Sequence, residues 1–146
     1  MTPDYVDLPE IELARAEATV PFQQIPMVLP TLYDAIFGAF HAQGLRAEGH
    51  EQAYYEMQGD EMLVIAAVPR PNAFVATDAV SLWTAPAETT LHLRHIGPYS
   101  GLPAVYQKLH AFAAAEGHKV TSGRELYGGW SPYPQERITD VHIGIV

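Results

Sequence analysis

The stretches LPTLYDAIFGAFHAQG over residues 29–44 and LPAVYQKLHAFAAAEG over residues 102–117 repeat one pattern, 73 positions apart. In both, apolar residues recur at three- and four-residue spacing, which is typical of the buried stripe of an amphipathic helix. A glycine closes each stretch, where it can end a helix in the left-handed conformation. The two stretches therefore predict a duplicated chain with one helix in each half. The match needs no gap over the identities Pro30/Pro103, Tyr33/Tyr106, Ala42/Ala115, Gly44/Gly117 and Tyr54/Tyr127.

Strand patterns surround the two helices, which are predicted over 30–43 and 101–116. Each half reads as strand, helix, strand, strand, and the segment 69–86 joins the halves with room for one more short strand. Helices that cover one face of a largely antiparallel sheet make an α+β fold. The strands are predicted from β-branched, aromatic or alternating residues over 11–18, 47–57, 62–68, 88–96, 119–130 and 138–145.

Length and composition indicate a single globular domain over 1–146. A chain of 146 residues can bury one core but not two independent ones. Its 48% hydrophobic and 17% charged residues are typical of folded domains. We expect pseudo-twofold repeats of about 8–70 and 80–146, with the two helices on one face of the sheet and a ligand groove on the other.

The charge balance excludes some partners. A formal net charge of −9 repels a phosphate backbone, so no direct contact with nucleic acid is predicted, whereas cations are attracted. The absence of cysteine removes disulfides and thiolate chemistry. The longest apolar run, 62–69, is too short to span a bilayer, and the acidic N-terminus does not resemble a signal peptide. We expect no membrane association and a cytoplasmic location.

The predicted strand 119–130 carries the main candidate for function. Because side chains alternate between the faces of a strand, Val120, Leu126 and Trp130 share one face, which we expect to pack under the helix. Glu125 and Tyr127 then lie together on the opposite face. Glutamate is a poor strand residue, so its presence there suggests a role beyond the fold. An ordinary solvated strand face is the alternative interpretation.

The offset of 73 pairs this strand with one in the first half. It matches Gln52 to Glu125 and Tyr54 to Tyr127. Ala53 and Tyr55 are then expected on the opposite face of their strand. Two tyrosines and one carboxylate are thus expected around a shared groove. Trp83 is a further candidate ring. A carboxylate among aromatic rings favours organic cations, since each cation–π contact contributes about 0.5–2 kcal/mol. Core packing is the competing explanation for each ring.

Three segments of the second half together resemble the GyrI-like effector-binding domain, which also serves as the ligand domain of some AraC-type and MerR-type regulators. They are HIGPYSGLPAVYQKL over 95–109, GRELYGGW over 123–130 and ERITDVHIGIV over 136–146. The resemblance implies paired strand-helix-strand-strand modules around a groove for bulky aromatic or lipophilic molecules, often cations. It also implies that the acid of the E-x-Y motif, here Glu125 with Tyr127, lies in that groove.

The resemblance supports three functions. The first is a stand-alone protein that binds lipophilic, mostly cationic drugs or xenobiotics, with Tyr99 near the mouth of the groove. The chain has no room for the helix-turn-helix domain of the regulators, so transcriptional control needs an unseen regulator as partner. The second is hydrolysis of strained cyclopropane rings with Glu125 as general base. The third is a gyrase-binding module.

We predict neither a metal site nor a cofactor. His92 and His95 are three residues apart on one predicted strand and therefore face opposite ways, and no zinc-protease, nucleophile-elbow or phosphate-loop motif occurs. Strand alternation also turns Arg124 away from Glu125. We therefore expect Glu125 to be shielded from water, without a Lys or Arg partner, and to have a raised pKa.

Overall fold

The structure is a computed structural model that describes residues 1–129 and 131–146. These residues form eight strands and two α-helices, and the strand pairs described below are antiparallel, which confirms the α+β prediction. The helices are α1 (Ile25–Ala42) and α2 (Leu102–Ala115). The strands are β1 (Asp4–Leu8), β2 (Ile11–Val20), β3 (Gln52–Gln58), β4 (Glu61–Pro69), β5 (Ser81–Ala85), β6 (Glu88–Ile96), β7 (Val120–Gly129) and β8 (Ile138–Ile145).

The chain divides into two compact units. The N-terminal unit is Glu10–Pro86, and the C-terminal unit combines Met1–Pro9 with Ala87–Val146. The N-terminal unit has the strand order β5-β2-β4-β3, and the C-terminal unit has the order β1-β6-β8-β7. Each therefore contains the predicted strand, helix, strand, strand sequence and one additional strand beside the first. Two turns of 3-10 helix, Phe22–Gln24 and Tyr99–Gly101, lead into α1 and α2.

The sheet of the N-terminal unit is buried on both faces. On one face, Ile36 and Phe40 of α1 pack against small and β-branched residues of β2 and β4, including Ala16 and Val68. The other face holds an apolar cluster built around Leu13, Ile65 and Tyr54, among others. Burial of both faces explains why β4 is a continuous apolar run and not an alternating one.

The C-terminal unit has an apolar face and a polar face. Leu109 and Ala113 of α2 pack on β6 and β8, whose inward residues include Leu93, Val141 and Ile143. The opposite face carries hydrogen-bonded polar and charged side chains. Its members include Thr90, His92, Arg94, Arg124, Asp140 and His142.

The two helices differ by one turn, because α1 has 18 residues and α2 has 14. Both end as predicted at a glycine with positive φ, 69° at Gly44 and 77° at Gly117. Their starts do not match at the predicted offset. Pro103 lies in the first turn of α2, and the proline at that place in α1 is Pro26, whereas Pro30 lies inside the helix. The pairing of Pro30 with Pro103 is therefore wrong, and α1 begins before residue 30.

No helix in the described part of the chain combines the length and hydrophobicity needed to cross a bilayer.

Candidate functional site

Glu125 is the buried acid of the C-terminal unit, with 5% of its surface exposed. The hydroxyl of Tyr106, on α2, donates a hydrogen bond to its Oε2 at 2.6 Å. The hydroxyl of Tyr127, two residues along β7, donates to its Oε1 at 2.5 Å. Each carboxylate oxygen therefore accepts one phenol, and the acid bridges the strand and the helix.

Glu125 faces α2, so the prediction that it lies opposite the helix is wrong. It pairs across the sheet with Val141, which belongs to the core under α2. A β-bulge explains the error: between Val120 and Ser122, β7 advances two residues while β8 advances one. A bulge shifts the alternation by one position, so Val120 and Glu125 both face the helix despite their opposite parity. The prediction for Trp130 lies outside the described residues.

The bulge in β7 also changes which residues of the two units are equivalent. In the N-terminal unit, Ala53 pairs with Ala66, a residue packed under α1, just as Glu125 pairs with Val141 under α2. The equivalent of Glu125 is thus Ala53, 72 positions earlier, and not Gln52. By the same register Tyr127 corresponds to Tyr55 and not to Tyr54. A slip of one residue exchanges every side chain between faces, so the predicted match of faces is wrong.

The equivalent tyrosines of the two helices, Tyr33 and Tyr106, have different hydrogen-bond partners. Tyr33 of α1 donates its hydroxyl to the backbone carbonyl of Gln52, whereas Tyr106 of α2 reaches a carboxylate. Ala53 has no side-chain acceptor to offer Tyr33. Only the C-terminal unit therefore joins its helix to its strand through an acid at this position.

Within the N-terminal unit, Tyr54 contacts two other predicted site residues, Gln52 and Trp83, on the sheet face away from α1. The hydroxyl of Tyr54 donates to Oε1 of Gln52 at 2.9 Å, and its ring packs edge-on against Trp83 with centroids 4.8 Å apart. The guanidinium of Arg15 lies 4.6 Å from the centroid of the Trp83 ring. This indole therefore already has a cationic neighbour from its own unit.

Tyr99 is brought close to the acid. Its ring packs edge-on against Tyr127 at 5.9 Å, and 38% of its surface is exposed. The guanidinium of Arg137 lies 5.0 Å from the centroid of Tyr99. Contacts therefore connect the partly exposed ring of Tyr99, through Tyr127, to the buried carboxylate of Glu125.

Burial raises the pKa of Glu125, and the hydrogen bonds from Tyr106 and Tyr127 oppose that rise without cancelling it. No Lys or Arg lies within ion-pair distance of Glu125 among residues 1–129 and 131–146. Arg124 points to the opposite face, with its Nη1 3.6 Å from Glu88. Glu125 is therefore shielded from water, and its pKa is shifted in the direction that the sequence predicts.

Tyr106 is the site residue that the sequence prediction missed. In the sequence it stands out only as the repeat partner of Tyr33, inside the predicted second helix. Its hydroxyl is the one available signal, because a buried tyrosine normally finds a hydrogen-bond partner. The partner can be identified only when the strand beneath the helix is known.

Within the part of the chain that the structure describes, no group of three or more His, Asp or Glu residues could hold a metal ion. The site described above consists of one desolvated carboxylate, the two phenols that bind it and the nearby ring of Tyr99.

One family model and several solved structures match the chain. The family described as GyrI-like small molecule binding domain matches residues 1–140. A search of curated proteins finds no match. The fold is similar to the EcmrR C-terminal domain, with a TM-score of 0.81 and 19% identity, covering 99% of this chain and 96% of the other.

Two further solved structures share the fold. The SAV2435 protein, whose structure was solved bound to tetraphenylphosphonium, has a TM-score of 0.73 and 12% identity, covering 100% of this chain and 94% of the other. A protein from Listeria innocua described as a hydrolase has a TM-score of 0.64 and 15% identity, covering 99% of this chain and 92% of the other.

Proposed function

The chain belongs to the GyrI-like small-molecule-binding domain family, and from that premise we propose that it binds lipophilic, aromatic cations at Glu125. In that role it sequesters or senses drug-like molecules. The observation that carries the proposal is the buried carboxylate of Glu125, which has two tyrosine partners and no basic residue within ion-pair distance in the described chain.

Two physical arguments favour a cation. An ionised carboxylate without a counter-charge is unstable in a desolvated position, as the raised pKa of Glu125 reflects, and a bound cation removes that penalty. The rings of Tyr127 and Tyr99 then lie where they can contact the apolar surface of the ligand. The related SAV2435 protein, solved with tetraphenylphosphonium, supports a ligand of this class.

A pair of ligands with the same shape and opposite charge tests the proposal. We expect calorimetry to detect binding of tetraphenylphosphonium and not of tetraphenylborate. Glu125→Gln should weaken tetraphenylphosphonium binding at least tenfold, about 1.4 kcal/mol. Glu116→Gln is the matched control, because Glu116 is an exposed acid in the same unit and its replacement changes the net charge equally. Preferred binding of the anion, or equal losses in both variants, would contradict the proposal.

Hydrolysis with Glu125 as general base is the second candidate. It is favoured by the raised pKa of this carboxyl, a property of catalytic acids and bases, and by the structural neighbour described as a hydrolase. The two functions are distinguished by comparing the natural protein with Glu125→Gln, using a neutral cyclopropane substrate that binds to both. If the natural protein forms product and the variant does not, the protein is a hydrolase. If the natural protein binds the substrate but forms no product, the binding function is favoured.

A further inference from the structure

Building on the proposed function, we infer that Glu125 selects cations without N–H groups, such as quaternary ammonium or phosphonium ions, over protonated amines on the same aromatic scaffold. The observation behind this selectivity is that the tyrosines already donate to both oxygens of the carboxylate. Tyr106 and Tyr127 are then specificity-determining residues and not only supports of the acid.

Each oxygen of the carboxylate already accepts a hydrogen bond before a ligand arrives. Oε2 accepts from Tyr106 at 2.6 Å and Oε1 accepts from Tyr127 at 2.5 Å, while 95% of the residue is withdrawn from solvent. A carboxylate can accept further bonds, but only where a donor can reach its remaining lone pairs. At Glu125 these directions are restricted by the helix on one side and the strand on the other.

Two immediate neighbours of the acid on the helix-facing side offer no side-chain acceptor. Val141, its partner across the sheet, is apolar, and Gly123, two residues earlier on β7, has no side chain and lies under the ring of Tyr106. A primary ammonium brings three N–H donors that water satisfied before binding. Each donor buried without an acceptor costs about 1–3 kcal/mol.

A quaternary cation avoids this cost. It has no N–H group, and its charge is spread over alkyl or aryl carbons that contact rings favourably. Its attraction to Glu125 needs no direct hydrogen bond, because Coulomb attraction acts over several ångströms and is weakly screened in a desolvated site. The two tyrosine hydrogen bonds therefore remain in place when such a ligand binds, whereas a primary ammonium must compete with them.

The test measures the dissociation constants of benzyltrimethylammonium and benzylammonium by calorimetry, at a pH where both are charged. Neopentylbenzene, which replaces the quaternary nitrogen by carbon, is the neutral control. We expect the quaternary ion to bind at least tenfold more tightly than the primary one, and the neutral isostere to bind more weakly than the quaternary ion.

The extra methyl groups also favour the quaternary ion by simple burial, so the deciding measurement is the ratio of the two constants in Tyr106→Phe, Tyr127→Phe and the double variant. These changes release the oxygens of Glu125 and should lower the preference severalfold by improving the binding of benzylammonium. Tyr5→Phe is the control, since Tyr5 bonds to His118 and contacts neither oxygen of the acid. A methyl-burial effect alone would leave the ratio unchanged in every variant.

The outcomes separate the inference from the proposed function. If both cations bind through Glu125 with equal affinity, or if the tyrosine variants keep the natural preference, the selectivity is overturned while cation binding stands. If neither ammonium ion binds and tetraphenylphosphonium does not bind either, the selectivity and the proposed function are both overturned. Equal binding of neopentylbenzene and the quaternary ion would likewise overturn both, because the charge would then contribute nothing.

Discussion

Two buried ionisable side chains of the C-terminal unit, Glu125 and His142, are both pushed toward their uncharged forms. Burial raises the pKa of Glu125 and lowers that of His142 to about 4. The nearby positive charges of His92 and Arg124 add to the effect at His142, and Asp140 opposes it. Because one group is an acid and the other a base, their contributions to stability change in opposite directions with pH.

Replacing Glu125 with Gln should stabilise the ligand-free protein at neutral pH. A pKa raised by folding means that the stability associated with this group is fully present below the ordinary carboxyl pKa and is lost as the pH rises through the folded-state pKa. Glutamine keeps the shape but carries no charge, so the variant avoids that loss. Denaturant unfolding of both proteins across pH should show a difference that disappears in acid.

Glu116→Gln serves again as the control, since Glu116 is exposed. At neutral pH its unfolding free energy should differ from that of the natural protein by less than that of Glu125→Gln does. A natural protein that is more stable than Glu125→Gln at neutral pH would mean that the tyrosine hydrogen bonds outweigh the burial of the charge.

His142 should show the opposite pH dependence. Its pKa is lowered from 6.5 to about 4, so its contribution to stability is present above the unfolded pKa and is lost as the pH falls from 6.5 through about 4. The hydroxyl of Thr90 donates to the carbonyl of Val6 and lies 2.9 Å from Nδ1 of His142, so it accepts from the imidazole, and His142→Asn keeps an N–H donor for it. We expect the stability of this variant to fall less steeply in that range.

The direct measurement is an NMR titration of the imidazole of His142, whose pKa should lie at about 4. A pKa at the ordinary histidine value of 6.5 would show that His142 is not desolvated and would remove the basis of the stability prediction.

Pro30 in α1 and Pro103 in α2 occupy positions where a proline has different effects on the stability of the helix. Pro30 is exposed and lies inside α1, where its ring takes the place of an N–H that could bond to the carbonyl of Pro26. Pro103 lies in the first turn of α2, where that N–H has no partner within the helix. The repeat pairs the two prolines in sequence, yet only Pro30 should weaken its helix.

Pro30→Ala should therefore raise the unfolding free energy by about 1–2 kcal/mol, less than the full helix propensity difference because alanine also frees the unfolded chain. Pro103→Ala is the matched control and should have little or slightly unfavourable effect. Thermal unfolding of both variants compares them. A loss of stability in Pro30→Ala would show that the packing of α1 depends on the proline.

At the scale of the whole molecule, the net charge of −9 should speed the approach of cationic ligands. We expect the association rate constant of tetraphenylphosphonium to fall as salt increases from about 20 to 500 mM, because the Debye length shortens from about 20 to about 4 Å. Stopped-flow tyrosine fluorescence would follow the reaction.

Glu116→Gln and Glu125→Gln should reduce this salt dependence by similar small amounts, since steering depends on the total charge. The dissociation rate should rise only in Glu125→Gln, because contacts at the site determine how long a ligand stays. An association rate that does not respond to salt would show that the acidic surface plays no part in capture.

Local sequence patterns were enough to predict the α+β class, the strand, helix, strand, strand order, the glycine caps of both helices and the identity of the buried acid. These features depend on local patterns: the spacing of apolar residues, glycine after a helix and an isolated glutamate among strand residues. Strand β1 was missed, because the charged segment DYVDL becomes a strand only through its pairing with β6.

Long-range strand pairing sets which face Glu125 occupies and which residues surround it. The bulge after Val120 is defined by the register of β7 against β8, a partner that follows it in the chain, and it reverses the parity that a single strand suggests. That reversal brings Glu125 to Tyr106 and makes Ala53 its counterpart in the N-terminal unit. Pairing between distant strands sets the register, so the site could not be assembled from local sequence patterns alone.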